Sequence, residues 1–434
     1  MAPAEHIRQF LQAAPTASRY VVGYSGGLDS QVLLHLLHAQ GLTNLETVHV
    51  HHGLSASADA WADFCLVQCA ALGVPCRVER VAVADGGGLE AAARAARYAA
   101  LENHLDTGDM LLTAHHQDDQ AETVLLMLLR GTGVAGLAAM PRWRRFARGW
   151  LGRPLLDVSR AALLDYAKTH NLAWIEDESN QDTRLRRNYL RHEILPRLER
   201  HWLAARPTLA RAASQLAEAG GLLADLAEMD RAQSSGSRAG TLSLQALASM
   251  DAARRRNLLR YWVKACGLPM PDSRQLHRLE RDLFTPRADA EPRVDWPGAE
   301  IRRYRDDLYA LAPLPPAPQE TLDWTLDAPL PLADGRRLQA VACTGKGLSA
   351  ARLKDARISV GFYRGAERCK PAGRAHSQTL KKLFQQAGVP PWERERAPLL
   401  FVEGELAQVI GHWICAGFAA GAQEIGFVVG CSAD

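Results

Sequence analysis

The sequence predicts an α/β protein in three parts: an N-terminal parallel-sheet domain, a small mostly α-helical domain, and a C-terminal mixed α/β domain. Three observations carry this. The first half alternates short apolar runs with helical stretches of ten or more residues. The stretch from Leu242 to Phe284 is helical in pattern and rich in Arg. The stiff run Pro313-Leu314-Pro315-Pro316-Ala317-Pro318 precedes a region of short β-like segments. A length of 434 residues is itself consistent with about three domains at roughly 150 residues each. The expected boundaries are 1–212, 213–312, a linker at 313–320, and 321–434.

Tyr20 to Tyr24 reads as a buried strand, followed by a glycine loop and a helix around Val32 to Ala39. Leu45 to Val50 is the second strand and Trp61 to Leu72 the next helix. Cys76 to Val83, Glu90 to Leu105, Met110 to Ala114 and Gln120 to Leu129 continue the alternation as strand, helix, strand, helix. Strands alternating with helices of this length imply β-α-β units and a parallel sheet covered on both faces. Right-handed crossovers then bring the loops after the strands to one edge, where ligands bind. Asn188 to Met229 is helical and basic. Glu300 to Arg303 and Asp307 to Leu311 are β-like pieces, and Ser377 to Ala387 is a basic helix.

Composition excludes several classes. No cationic segment followed by an apolar run opens the chain, so no signal peptide is expected. The apolar stretch Trp413 to Ala422 is about half the roughly 20 residues a membrane span needs. Eight scattered Cys without a C-x-x-C pair suggest reduced, cytosolic thiols, with Cys65 and Cys69 as buried packing residues. The net charge is only +3, but its distribution is uneven. Arg184–Arg211 holds eight Arg against Glu193 and Glu199, Ala252–Arg281 eight Lys/Arg against Asp272 and Glu280, and Arg352–Lys382 nine against Asp355 and Glu367. Three basic stretches in a nearly neutral chain suit a protein that tracks a polyanion.

The loop Ser25-Gly26-Gly27-Leu28-Asp29-Ser30 lies between the first strand and its helix. Gly26 and Gly27 let backbone N–H groups approach phosphate oxygens, and the helix N-terminus adds partial positive charge. Ser25 and Ser30 add hydroxyl donors. Asp29 beside phosphates is repulsive unless Mg²⁺ or a cationic substrate is present. The loop has no Lys and is not a Walker loop. Farther on, His115-x-x-Asp118-Asp119-x-x-Glu122 would place a His and three acids on one helix face at the ligand-bearing edge. These acids suit Mg²⁺ or an amine; as first-turn acids they would also simply offset the helix dipole. Asp177, Asn180, Arg187, Asn188 and Arg191 form a second polar set, in which Arg187 offers a planar fork for a phosphate. Same-face His49 and His51 suit satisfied, half-buried histidines better than a zinc site. Arg142, Arg144, Arg145 and Arg148, interleaved with Trp143 and Phe146, suit RNA phosphates and an unstacked base.

These motifs resemble those of a known family. Ser25 to Ser30 is similar to the pyrophosphatase loop (PP-loop) of the N-type ATP pyrophosphatases. His49-Val50-His51-His52-Gly53-Leu54, Glu90 with Arg94, Arg97 and Tyr98, and Thr113 to Thr123 resemble successive motifs of the tRNA(Ile)-lysidine synthetases within that superfamily. So do Arg153-Pro154-Leu155-Leu156, Glu176-Asp177-Glu178-Ser179-Asn180, Arg187-Asn188 and Leu195-Pro196. Pro371 to Gly388 with Val389-Pro390-Pro391-Trp392 resembles their C-terminal domain. The resemblance runs through the chain in order and is weakest from Ala213 to Val360. His51 stands where several relatives have Asn, and Gln378 where Lys is more usual.

The resemblance implies a Rossmann-like PP-loop ATPase domain and a ligase using ATP and Mg²⁺. It implies adenylation of the wobble cytidine of an isoleucine tRNA with anticodon CAU, then displacement of AMP by free L-lysine. The expected site is Asp29, Asp119 and Arg187 for catalysis, with Asp29 and Asp119 on Mg²⁺ and Ser25 to Ser30 on ATP. Asp118, Glu122 and His115 are expected to face the lysine. Arg142, Arg144, Arg145, Arg191, Arg255, Lys381 and Lys382 are expected to face tRNA. The expected setting is cytoplasmic, without a membrane, and a homodimer is one possible assembly. The alternative within the superfamily is a tRNA thiolation enzyme. That class commonly uses a C-x-x-C pair, which this sequence lacks.

Overall fold

The computed structural model describes residues 2–83, 89–284 and 292–433. The chain divides into two compact units, residues 1–226 and 227–434. The division falls within one long helix, Ala205–Gln233.

The first unit is built on a six-stranded sheet. Its elements run α1 (Pro3–Ala13), β1 (Tyr20–Gly23), α2 (Leu28–His38), β2 (Leu45–His51), α3 (Ala58–Ala71), β3 (Cys76–Arg80), α4 (Leu89–Asn103), β4 (Met110–Leu112) and α5 (Gln117–Leu129). The short α6 (Val134–Leu137), the hairpin β5 (Trp143–Phe146) and β6 (Gly149–Gly152), and α7 (Arg160–Thr169) follow. The strand order is β3-β2-β1-β4-β6-β5. Every pairing is parallel except β5 with β6, which closes the edge as an antiparallel hairpin.

Alternation along the strands builds the two layers. Val22 on β1 and Leu112 on β4 join a core with Ile7, Phe10 and the apolar positions of α2. Val21, Val48 on β2, Leu111 on β4 and Leu151 on β6 face the other side and pack against Leu101 on α4 and Leu105 just beyond it. Adjacent residues in an extended strand point to opposite faces, so a sheet covered on both sides reads as a continuous apolar run. Cys65 and Cys69 of α3 are fully buried in the first of these cores.

The order also fixes where a ligand can sit. The chain leaves β1 to return as β2 on one side, while β4 pairs on the other. Loops leaving the carboxyl ends of two such neighbours diverge and leave a crevice between them. Here the loop after β1 is the glycine loop and the loop after β4 is Thr113–His116.

The second unit has two cores. Helices Leu244–Ala248, Ala252–Ala265 and Ser273–Phe284 pack on a four-stranded antiparallel sheet ordered 242–243, 307–311, 299–304, 293–296. The expected helical domain therefore closes on a sheet that the sequence shows only as two pieces. Its outermost strand, Arg293–Trp296, alternates exposed Arg293 and Asp295 with buried Val294 and Trp296. The C-terminal part stacks a five-stranded and a four-stranded antiparallel sheet around Leu380, Leu383, Phe384, Leu399 and Leu400.

One sequence expectation needs correction here. Cys369 and Cys415, both buried, are joined as a disulfide with their Cα atoms 5.6 Å apart. That separation lies in the usual range for a bridge. Their separation of 46 positions hid the pairing in the sequence, and the other six cysteines are free. No helix among the described residues is long and apolar enough to cross a membrane.

Candidate active site

The glycine loop is shaped by its two glycines and its two serines. Gly26 has φ +76°, a conformation L side chains rarely adopt. A Cβ there would lie 2.6 Å from Ile175 Cδ1 and 2.9 Å from Cys65 Sγ. Gly27 caps α2, and a single parallel bridge ties Gly27 to Ile175, with the Ile175 N–H donating to Gly26 O at 2.9 Å. Ser30 Oγ donates to Gly27 O at 3.0 Å and lies 3.1 Å from Ser25 Oγ. Leu28 and Ser30 are buried, while Ser25 is exposed. The result is a fixed turn at the N-terminus of an 11-residue helix, aimed from the carboxyl edge of the sheet.

Asp29 stands in the first turn of α2. Its Oδ1 is buried and has no hydrogen-bond partner among the described residues. Its Oδ2 lies 3.5 Å from His116 Nε2. A buried carboxylate oxygen without a donor, beside a phosphate-binding turn, fits a cation ligand. Mg²⁺ is often held by only one or two carboxylates together with substrate phosphates. Among the described residues, no group of three His, Cys, Asp or Glu is arranged to hold a metal by itself.

The acidic helix differs from the expected face in one respect. Helix α5 starts at Gln117, so His115 lies outside it, and His116 is its N-cap. His116 is 1 % exposed and stands amid the acids, 3.5 Å from Asp29, 3.6 Å from Asp119 and 3.9 Å from Asp118. Its backbone N–H donates to Asp119 Oδ2 at 3.0 Å. Burial alone would discharge this imidazole, but Asp119 and Asp29 outweigh burial and raise its pKa. His115 instead pairs with Thr113 Oγ1 at 2.9 Å. It keeps some solvent access, yet the protein around it strips enough water to push its pKa down to about 3. The place among the acids that was expected for His115 is occupied by its neighbour His116.

Two arginines complete the cluster. Chain 186–199 forms α8 (Arg186–Tyr189), a π-helical turn (Leu190–Ile194) and α9 (Leu195–Glu199). Arg187 Nε donates to Glu122 Oε2 at 2.6 Å and its Nη2 to Asp119 Oδ1 at 2.8 Å. Arg191 Nε donates to Glu122 Oε1 at 2.6 Å, and its Nη2 reaches Asp119 Oδ1 at 3.1 Å and Glu122 Oε2 at 3.2 Å. Glu122 is fully buried. Burial would raise the pKa of Asp119, but His116 and Arg187 outweigh it and hold this carboxyl well below the usual range. Arg191, expected on the tRNA side, is drawn into the same brace as Arg187.

Asp118 is held apart from that brace. Its Oδ1 accepts the Arg160 N–H at the start of α7 at 3.1 Å, and its Oδ2 pairs with Arg206 at 2.9 Å. Arg206 was not singled out in the sequence, because the contact joins segments some ninety residues apart. Asp177 accepts the Ser179 N–H, and Asn188 donates to Ser179 O and Asp182 O, tying loop 177–182 to α8. Gln120 exchanges two hydrogen bonds with the backbone of Met140, and Arg153 donates to Pro141 O. The strand that follows carries Arg144 over Phe146 at 5.3 Å and Arg145 over Trp150 at 4.0 Å, both arginines exposed. Arg142 is paired with Asp157. The side chain of Glu90 lies outside the described residues.

In the second unit, Arg255 is engaged with the fold. It lies 4.7 Å over Phe284, contacts Glu280 and donates toward Met250 O. Lys381 and Lys382 are exposed on helix Leu380–Gln386.

The chain is similar to known proteins over most of its length. Residues 2–198 match the PP-loop domain family, 242–309 the TilS substrate binding domain, and 358–431 the TilS substrate C-terminal domain. The chain is 41 % identical to a tRNA(Ile)-lysidine synthase of Methylococcus capsulatus, over 95 % of this chain and 96 % of that protein. It is 45 % identical to the tRNA(Ile)-lysidine synthase of Alkalilimnicola ehrlichii over 91 % and 90 % of the two chains, and 39 % to that of Coxiella burnetii over 98 % and 96 %. With this likeness running through nearly the whole of each partner, and with the glycine loop and acidic helix meeting at one sheet edge, the chain belongs to the tRNA(Ile)-lysidine synthase family.

Proposed function

We propose that the protein joins L-lysine to C2 of the wobble cytidine in the CAU anticodon of an isoleucine tRNA. In the first step the C2 oxygen of the base attacks the α-phosphorus of ATP and pyrophosphate leaves. In the second the ε-nitrogen of lysine attacks C2, and AMP departs with that oxygen. The product, lysidine, reads AUA in place of AUG. Both steps belong in the cytoplasm, where the three substrates meet.

The observation that carries the reading is the crevice itself: a phosphate-binding turn on one side, and on the other a buried carboxylate pair, Asp119 and Glu122, bridged to the turn by His116. The loop N–H groups and the Ser25 and Ser30 hydroxyls hold the phosphates. Asp29 would hold Mg²⁺, which neutralises phosphate charge when bound. Arg187 and Arg191 offer guanidinium forks to the charge that spreads over the α-phosphate oxygens. Asp119 and Glu122, whose present partners are cationic, suit the lysine ammonium and its proton. Asp118, fixed by Arg160 and Arg206, is better placed to hold α5 against α7 than to meet substrate. The exposed Arg144 and Arg145, each over an aromatic ring, suit the anticodon loop. Thiolation finds no support in the crevice: Cys65 and Cys69, on the helix behind the loop, are fully buried.

The test uses ATP, Mg²⁺, lysine and an unmodified isoleucine tRNA carrying CAU, followed by digestion and mass analysis of the nucleosides. A cytidine that gains one lysine less one water is expected. Gain of sulfur, or no change with folded protein, overturns the reading. Asp29→Ala should abolish AMP release, a loss of at least ~100-fold for a group acting on transition-state charge. It should leave tRNA binding near the parent level.

A further inference from the structure

We infer that Arg187 and Arg191 form a lock on the lysine site that nucleotide opens, so that lysine binds productively only after ATP. The inference rests on the proposed function and adds an order of events to it.

Each carboxylate oxygen of the α5 acids already has a partner among the described residues. Both oxygens of Glu122 receive Nε donors at 2.6 Å, one from each arginine. Asp119 Oδ1 takes Nη2 of both arginines, and Oδ2 takes the His116 N–H. Asp118 has one oxygen on the Arg160 N–H and the other on Arg206. A lysine ammonium that takes Asp119 and Glu122 as its partners therefore competes with the two guanidiniums already on them. It brings one point charge against two planar forks whose geometry matches a carboxylate pair. Glu122 is fully buried, so losing both guanidiniums for one ammonium leaves part of its charge uncompensated.

The arginines have somewhere to go. Their side chains keep 25 % and 24 % of their exposure, unlike the sealed Glu122. Arg191 sits in the π-helical turn Leu190–Ile194, a local irregularity of the kind often found at functional sites. The charge of Asp29 is felt at Arg191, so that guanidinium already stands within electrostatic reach of the glycine loop. ATP placed on that loop offers phosphate oxygens, which bind guanidinium forks at least as well as carboxylates do. Drawing Arg191 toward the phosphates would bare one side of the Asp119–Glu122 pair, and a lysine ammonium would refill it. Each ligand then favours the other. The linkage must be reciprocal, with lysine tightening nucleotide by the factor with which nucleotide tightens lysine.

The experiment is equilibrium dialysis of radiolabelled lysine against the full chain, with and without α,β-methylene-ATP and Mg²⁺, and without tRNA. Lysine affinity should rise about tenfold or more with the analogue, and analogue affinity should rise equally with lysine. Arg191→Met should raise lysine affinity in the absence of nucleotide and shrink the coupling toward onefold; Arg191→Lys should restore part of it. Equal lysine affinity with and without the analogue overturns the lock alone, and this arm needs no variant. Coupling unchanged in a folded Arg191→Met also overturns it. Lysine that binds under no condition, even with tRNA added, overturns the proposed function and the lock with it.

Discussion

His115 and His116 show how one residue of register changes a chemical assignment. In the sequence, a His three residues before an Asp-Asp pair reads as the first member of a helix face. The helix begins two residues later than that reading needs, so position 115 is still extended chain and 116 becomes the cap. Helix boundaries are the least legible feature of a sequence, because capping depends on contacts with distant chain. The two imidazoles have opposite fates, and this gives a pH prediction. Unfolded, each titrates near pH 6.5. His115, held at about 3 by burial, stays neutral in the fold while the unfolded chain takes up a proton below pH 6.5. Its effect is a loss of stability as pH falls from 6.5 toward 3. His116, raised by the carboxylates against the pull of burial, keeps its proton above pH 6.5. Its contribution is complete below 6.5 and is lost as pH rises through its folded pKa. Urea titrations at pH values either side of 6.5 should show stability falling on both. His115→Asn should flatten the acid limb and His116→Asn the alkaline one. Identical alkaline slopes in His116→Asn and the parent protein would rule the assignment out.

At the scale of elements, the glycine loop and its helix were the most legible part of the chain. The strand before it is a plain apolar run, and the loop has few residue types that could do its work. The sequence could not show what the loop leans on. Ile175, about 150 residues away, pairs its backbone with Gly26 and Gly27 and fills the space a side chain would need. The hairpin Trp143–Gly152 was equally hidden. Its strands are four residues each, and two of the arginines that read as RNA contacts, Arg144 and Arg145, lie on the outermost strand. Gly26→Ala tests the loop directly. The new methyl would enter at φ +76°, 2.6 Å from Ile175 Cδ1. Backbone strain of this kind costs about 1–3 kcal/mol, before any displacement of Ile175 and Cys65. The expected outcome is a lower melting temperature together with at least a tenfold loss of ATP affinity. Gly53→Ala, at φ +67° with no atom within 4 Å of the new methyl, is the control for backbone strain without a clash. If both variants bound ATP like the parent, the packing of Gly26 against Ile175 would not be what shapes the nucleotide turn.

At the scale of the whole molecule, charge pattern is the feature the sequence overstated. The chain is nearly neutral, and its three basic stretches read as three faces for a polyanion. Folding brings acids from elsewhere to many of those cations. Arg187 and Arg191 meet Asp119 and Glu122, Arg206 meets Asp118 and Glu199, Arg254 meets Asp230, and Arg255 and Arg256 meet Glu280. None of these acids except Glu199 and Glu280 lies in the same stretch as its partner, which is why a local count misleads. Lys381 and Lys382 differ: they are adjacent, exposed, and project from a helix whose Leu380, Leu383 and Phe384 anchor it in the core. If these lysines meet tRNA phosphates, replacing both with Ala should weaken tRNA binding, most strongly at low salt. It should also lower the slope of log affinity against log salt by about 2, roughly one per lost phosphate contact. The melting temperature should not move, because neither side chain packs. Arg255→Ala should do the reverse, lowering stability through lost contact with Phe284 and Glu280 while leaving the salt slope unchanged. A reversed pattern, with the slope following Arg255 and stability following the lysines, would place the tRNA-facing charge of this unit on its helical part.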